Sequence, residues 1–187
     1  MSRFSLEGKT AIITGGAGGL GRSMVEAYAD AGANVVIASR SRDKIEAEAA
    51  KINAKGQRAI AIAVDITDEE QVHAMVSETV ETFGALDIMV NNAGRWGRSH
   101  LAEETPLDEW RELVDQNLTG VFIPCMAAGK QMIKQGSGKI INVSSTAGSK
   151  GNPYQLHYSA AKAGVISLTN NLAFMWAKHN INVNCIL

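Results

Sequence analysis

The sequence predicts an α/β fold, a doubly wound parallel sheet with helices packed on both faces. Three observations carry this. Short, β-branched apolar runs alternate along the chain with longer amphipathic stretches. The first such run passes directly into a glycine-rich turn and then a helical segment. The composition is aliphatic, 45% hydrophobic with only 5% aromatic residues, within the ordinary range of globular domains.

Taken in order, Lys9-Thr-Ala-Ile-Ile-Thr14 reads as a buried strand near 10–14. Thr14-Gly-Gly-Ala-Gly-Gly-Leu-Gly21 turns the chain into a helix near 20–31. Further strands are expected near 34–38, 58–64, 86–91, 139–143 and 182–186, and further helices near 43–54, 68–83, 106–117, 118–134 and 155–178. Gly136-Ser-Gly138 is a turn before the fifth strand. Strands this apolar need cover on both faces, which implies a parallel sheet, and right-handed crossovers wind it doubly. No internal repeat, low-complexity tract or linker interrupts the pattern, so the 187 residues form one domain.

Ser145, Tyr158 and Lys162 have the spacing of one catalytic apparatus: a serine, thirteen residues to a tyrosine, then Tyr158-Ser-Ala-Ala-Lys162. On the last helix Tyr158 and Lys162 are i and i+4 neighbours. A free phenol titrates near pKa ~10, so proton exchange at pH ~7 needs a shift of about 4 kcal/mol. One nearby cation supplies about 1–3 units, and desolvation opposes it. Lys162 alone is therefore marginal, and a second positive charge such as an oxidised nicotinamide ring closes the gap. The glycine turn fits that demand. Gly15 permits the tight turn, Gly19 lets backbone approach a pyrophosphate, and Gly21 lets helix and strand pack closely. The helix start then offers free N–H groups to phosphate. The spacing is Gly-x-x-x-Gly-x-Gly, and alone it suits a simple Gly-rich turn equally.

Other chemistry-bearing residues follow the strand ends, where ligands of such sheets bind. Ala38-Ser-Arg-Ser-Arg42 follows the second strand, so that Ser39 and Arg40 stand where an acidic residue would bond a ribose 2′-hydroxyl. A guanidinium suits a 2′-phosphate; otherwise Arg40 is solvated and NAD binds regardless. Asp65 ends the third strand, and taken alone it equally suits capping the helix that opens at Thr67-Asp68-Glu-Glu. Asn91-Asn-Ala-Gly94 ends the fourth, where two asparagines are costly unless bonded. Asn117 interrupts helical pattern, as a cap between two segments or as a functional kink. Ser144 and Ser145 begin a turn with Thr146-Ala-Gly148 or supply a hydroxyl to the site.

Thr14–Gly21, Asp65, Asn91-Asn-Ala-Gly94, Asn117, Ser145 and Tyr158/Lys162 occur in one order from Leu6 to Leu187. In this the chain resembles the short-chain dehydrogenase/reductase family, in particular its 3-oxoacyl reductase and gluconate 5-dehydrogenase-like members. The resemblance implies a Rossmann fold with strand order 3-2-1-4-5-6. It implies hydride transfer between NADP(H), or alternatively NAD(H), and a small carbonyl or secondary alcohol. Ser145 would orient the substrate, Tyr158 act as general acid and base, and Lys162 lower its pKa and bind the nicotinamide ribose. Asn117 would open a helix kink that links Lys162 to solvent. The cofactor would lie against Gly15, Ala17, Gly19, Leu20, Gly21, Ser39, Arg40, Asp65, Ile66, Asn92, Ala93 and Gly94, besides Tyr158 and Lys162, with Asn91 bracing the sheet through backbone contacts. Gly18 replaces a second basic residue that many NADP-using members carry in the turn. A cofactor-binding sensor or scaffold without turnover is the other functional class.

The remaining conspicuous residues take plainer readings. His73 is a surface residue, and His157 a pocket-rim or surface residue, since adjacent helical side chains diverge. Met126, Met132 and Met175 fill core. Arg95, Trp96 and Arg98, with Pro153, Tyr154 and Gln155, lie where substrate would enter. Cys125 and Cys185 have no metal or redox spacing and read as buried free thiols; no metal ligands are expected. The net charge of −1 gives no case for nucleic acid or an anionic membrane, and no apolar run approaches the roughly 20 residues of a membrane span. Met1-Ser-Arg-Phe-Ser-Leu-Glu lacks the apolar core of a secretory signal, so the cytoplasm is the expected location. Family members continue beyond Leu187 through a Pro-Gly turn, a substrate-covering lobe and a seventh strand, so the sequence is expected to be incomplete there. The two helices near 118–134 and 155–178 are those through which the family forms homo-oligomers, as dimers or tetramers.

Overall fold

The computed structural model describes residues 4–187. Six parallel strands, β1 (Thr10–Thr14), β2 (Asn34–Ser39), β3 (Ala59–Ala63), β4 (Ile88–Asn91), β5 (Gly138–Val143) and β6 (Ile181–Ile186), form one sheet in the order β3-β2-β1-β4-β5-β6. Alternation along β1 feeds two cores. Ile12 joins Val36, Met89 and Ile140 on one face, while Ala11 and Ile13 join Val35, Ile37 and Val90 on the other. Both faces are buried, which is why the strands read as continuous apolar runs.

The helices divide between these faces. Val25 and Ala29 of α1 (Gly19–Asp30) and Ile45 and Ile52 of α2 (Arg42–Ala54) cover one side. The other is covered by Met75 of α3 (Glu69–Phe83), Val121, Cys125 and Met132 of α5 (Gly120–Gln135), and Val165 and Leu172 of α7 (Leu156–Trp176). Asp68 caps α3 by accepting the Gln71 N–H, and Gly84 ends it in the left-handed region. Asp65 is thus not that helix's cap. It closes a local turn by accepting the Thr67 N–H and hydroxyl.

Two helices expected to meet at Asn117 are instead one path. α4 (Leu107–Val114) runs into a π turn over Asp115–Thr119 and on into α5, with the Gly120 N–H donating to the Asp115 carbonyl five residues back. The buried Asn117 is therefore not a terminal cap; its amide donates to the Leu113 carbonyl at 3.0 Å, inside the helical path. A one-turn helix α6 (Ala147–Lys150) and a 3-10 turn at Ala102–Glu104 are additional to the sequence expectation. Met175 is exposed rather than core, whereas Met132 is fully buried. Cys125 is buried, Cys185 only partly so.

Candidate active site

The site forms where the strand order reverses, between β1 and β4. Thr14 pins the two strand ends. Its hydroxyl donates to the Val90 carbonyl at 3.3 Å and accepts the N–H groups of Asn92 and Ala93 at 3.0 and 3.1 Å. The Asn92 side-chain amide in turn donates to the Thr14 carbonyl at 3.0 Å. Above this pin Gly15 takes φ +67°, and the chain turns into α1. Gly21 lies so close beneath that a Cβ would stand 2.2 Å from the Gly15 carbonyl oxygen. Only glycine allows helix and turn to meet there. Gly18 precedes α1 without a side-chain cap, leaving the first N–H groups of the helix open to the cleft.

A cleft of about 820 Å³ extends from this turn. Gly15, Gly19, Leu20, Ser39, Arg40, Asp65, Ile66, Asn92, Ala93 and Gly94 line one stretch of it, and Asn117, Ser145, Tyr158 and Lys162 the other. Ala17 does not line it; that residue packs half-buried against the core behind the turn, and Gly21 lies buried under it. Arg40 is 64% exposed and only loosely paired with Asp65, at 3.9 Å. The Thr67 N–H, with the Thr67 hydroxyl and Arg40 assisting, holds the Asp65 carboxyl below the usual range. Asn91 braces the sheet through its side chain rather than its backbone alone, donating to Asn142 Oδ1 at 2.8 Å beside Cys125. Burial pushes the Cys125 thiol up to about 12, so it packs as an inert group.

At the other end Tyr158 is 7% exposed and Lys162 4%. Lys162 Nζ donates to the Val143 carbonyl at 2.8 Å and lies 5.6 Å from the centre of the Tyr158 ring. Burial raises the Tyr158 pKa, and a hydrogen bond with Ser145 opposes that rise. The Ser144 hydroxyl is committed to the Lys162 carbonyl at 2.7 Å. Asn117 bonds both backbone groups of Arg95, accepting its N–H at 3.1 Å and donating to its carbonyl at 3.0 Å. Between them stands Gly94, where a Cβ would lie 2.7 Å from Asn117 Oδ1 and 3.6 Å from Lys162 Nζ. The missing Cβ lets the Asn117 side chain pack directly against the Gly94 backbone, with Lys162 close by.

Burial lowers the Lys162 pKa to about 8 from its ordinary 10.5. Below the lower value the folded chain bears the cost of a buried ammonium. Between the two values the unfolded chain holds more protons, so stability rises with pH. Lys162→Met is therefore expected to be more stable at neutral pH, by up to about 3 kcal/mol. That advantage should fade as pH rises toward 10.5. Denaturant titrations across this range check it; a Lys162→Met chain no more stable than the parent at neutral pH would contradict the cost assigned to burial.

Several residues singled out in the sequence make contacts at the site that the sequence did not reveal. Trp96 stacks on the Tyr158 ring, with centroids 4.4 Å apart and planes 19° from parallel. Arg95 pairs with Glu112. His157, expected at the rim, is 1% exposed, and its Nδ1 accepts the Tyr158 N–H at 2.9 Å. Its ring does diverge from that of Tyr158, but the divergence carries it under the loop 95–100 and not into solvent. With His100 and Glu109 it brings three potential metal-ligating atoms within 4.8 Å of one another. The signal that would have found His157 is its place in the first turn of a helix, where N–H groups lack partners. His73 sits beside Glu69 at 3.6 Å, partly exposed.

The arrangement joins an open helix start, suited to phosphate, to a buried phenol beside an ammonium. No helix among the described residues is long and apolar enough to cross a membrane. Residues 9–187 match the family model described as short chain dehydrogenase. The 3-oxoacyl-[acyl-carrier-protein] reductase FabG of Staphylococcus aureus is 43% identical over 179 residues, covering 95% of this chain and 72% of that protein. The NAD-dependent glycerol dehydrogenase of Listeria innocua is 37% identical over 183 residues, 98% of this chain and 70% of its own length. Among solved structures, a gluconate 5-dehydrogenase from Burkholderia cenocepacia in complex with NADP and tartrate superposes with a TM-score of 0.93 at 36% identity, covering 98% of this chain and 71% of that one. A short-chain type dehydrogenase/reductase from Mycobacterium marinum gives 0.94 at 39% identity, with coverages of 99% and 77%.

Proposed function

The chain belongs to the short chain dehydrogenase family, and from that premise we propose that it is an NAD(P)-dependent oxidoreductase interconverting a carbonyl and a secondary alcohol, with Tyr158 as general acid and base. One observation carries the reading: Ser145, Tyr158, Lys162 and Asn117 line the same cleft as the glycine turn at the start of α1.

A nicotinamide dinucleotide fits the residues present. The uncapped start of α1 and the absence of any atom within 4 Å of a Cβ at Gly18 or Gly19 leave room for a pyrophosphate. Gly94, Tyr158 and Lys162 line one cleft, so its far end would take the nicotinamide beside Lys162. Gly15, Gly19, Leu20, Asn92 and Ala93 would hold its middle, Asp65 and Ile66 the adenine end, and Tyr158 and Lys162 the nicotinamide ribose. Bound there, the cofactor supplies hydride to the carbonyl carbon or removes it from the alcohol. In reduction the Ser145 hydroxyl orients the carbonyl oxygen, and Tyr158 releases its phenolic proton to that oxygen. The raised Tyr158 pKa keeps this proton in place at neutral pH until it is needed. Lys162, with a pKa near 8, is largely protonated there and returns a proton to the phenolate. Asn117, packed against Gly94 near Lys162, extends that path.

Arg40 favours NADP(H), because its exposed guanidinium is held only loosely by Asp65 and is free to meet a 2′-phosphate. Arg40→Ala should lower kcat/KM for NADPH by about 10- to 100-fold, the worth of charged hydrogen bonds of roughly 1.5–3 kcal/mol, while NADH is little affected. Equal losses with both cofactors would remove Arg40 from this role. Substrate class is tested by following NADPH and NADH consumption with acetoacetyl-CoA, 5-ketogluconate and dihydroxyacetone. Cofactor binding without turnover across the three would favour a sensor over an enzyme. Exposed Phe122 on α5 and Phe174 and Met175 on α7 support self-association through these helices; a monomer by sedimentation at assay concentration would count against it.

A further inference from the structure

We propose that His157 is a positioning residue for Tyr158, acting with Glu109 as a buried strut that fixes the first turn of α7 and the loop 95–100 over the tyrosine. The inference rests on the assignment of Tyr158 as the general acid and base.

Helix α7 starts without a side-chain cap from Gln155, so its leading N–H groups need other partners. His157 Nδ1 accepts that of Tyr158 at 2.9 Å. A backbone N–H can only donate. Nδ1 therefore keeps its lone pair there, and the neutral ring carries its proton on Nε2. This Nε2 is buried and has no well-aligned acceptor; Glu109 Oε1 lies nearest, at 3.4 Å. The Glu109 carboxylate is itself fixed, taking the Arg98 N–H at 2.7 Å and meeting His100 Nε2 at 2.9 Å. Bonds with His100 and the Arg98 N–H hold its pKa down to about 2, so it stays a charged acceptor at any working pH.

The same ring supports the loop. A Cβ on Gly97 would lie 2.6 Å from His157 Nε2, so the loop backbone rests directly on the imidazole. One residue earlier, Trp96 stacks on Tyr158. His157 thus touches the tyrosine through its amide and, through the loop, its ring face, while lying outside the cleft itself. The cluster of His100, Glu109 and His157 has the donor types of a metal site. Ligation through Nε2, however, would require Nδ1 to carry a proton where it now accepts one, or the ring to lose both protons. The geometry therefore favours the strut.

Two measurements test this. Long-range proton–nitrogen spectra of histidine-labelled protein should find His157 as the Nε2–H tautomer; an Nδ1–H tautomer, or zinc bound stoichiometrically through this ring, overturns the proposal without any variant. In acetoacetyl-CoA reduction, or with whichever probe the wild type turns over, His157→Leu keeps the volume and loses the acceptor. It should lower kcat by roughly ten- to a hundredfold, as small displacements of a reacting group do, with KM unchanged. His157→Asn, whose side-chain oxygen can take the Tyr158 N–H, should recover most of that loss. Wild-type kcat in the Leu variant, or equal impairment in both, overturns the strut. A Tyr158→Phe control separates the two claims, since activity there would defeat the catalytic assignment and not the strut.

Discussion

Replacing Tyr158 by phenylalanine is expected to cut turnover by roughly 10²–10⁴-fold, the usual worth of a positioned general acid, while NADPH affinity and melting temperature stay near those of the parent. The substitution removes one oxygen. The ring remains buried, the Trp96 stack remains available, and Lys162 keeps its bond to the Val143 carbonyl. What goes is the proton that the proposed mechanism delivers to the substrate oxygen, and the hydrogen bond with Ser145. Steady-state rates with reduced nicotinamide, beside a fluorescence titration of NADPH, separate chemistry from binding. Turnover at the parental level would transfer the acid role elsewhere.

Gly21→Ala should damage the molecule more broadly. Its methyl would stand 2.2 Å from the Gly15 carbonyl oxygen and 2.8 Å from that carbonyl carbon, neither of which can rotate away. Helix α1 must therefore lift from β1, or the glycine turn must open. Overpacking of this kind costs about 1–3 kcal/mol and more where backbone is involved, or a fall in Tm of roughly 2–12 °C for a domain of this size. Dinucleotide affinity should fall by at least about tenfold, because the turn is displaced from its phosphate-facing geometry. Gly18→Ala is the matched control for stability, since a Cβ there meets nothing within 4 Å. Calorimetry and NADPH titration decide the matter; parental values for Gly21→Ala would show the contact to be freely relaxed.

Elements whose burial is set locally were legible in the sequence. β1 reads as a strand because Ala11, Ile12 and Ile13 are each buried whichever face they meet, and its bounds fall where its β-branched run falls. The glycine turn was legible for the same reason, as its backbone geometry restricts residue type directly. Asn117 was harder. A polar amide in a helical pattern signals interruption, but the chain continues through a π turn there, and the partner that satisfies the buried amide, Arg95, lies twenty-two residues away. His157 was illegible in its burial because the loop that covers it follows β4, far from α7 along the chain. Helical periodicity places its side chain away from Tyr158 but does not say what lies there. Trp96 on Tyr158 is a contact of the same long-range kind.

The Thr14 pin has a consequence in time. It joins residues 78 apart in the chain, so β1 gains its β4 neighbour only after the chain has been made past Asn92. Until then a nascent chain holds β1, β2 and β3 with one side of the central strand unpaired and strongly apolar. Non-local parallel pairing is slow to form and leaves such edges exposed to aggregation. The feature that opens the cleft in the finished protein therefore also sets the interval during synthesis when the chain most depends on protection from its neighbours.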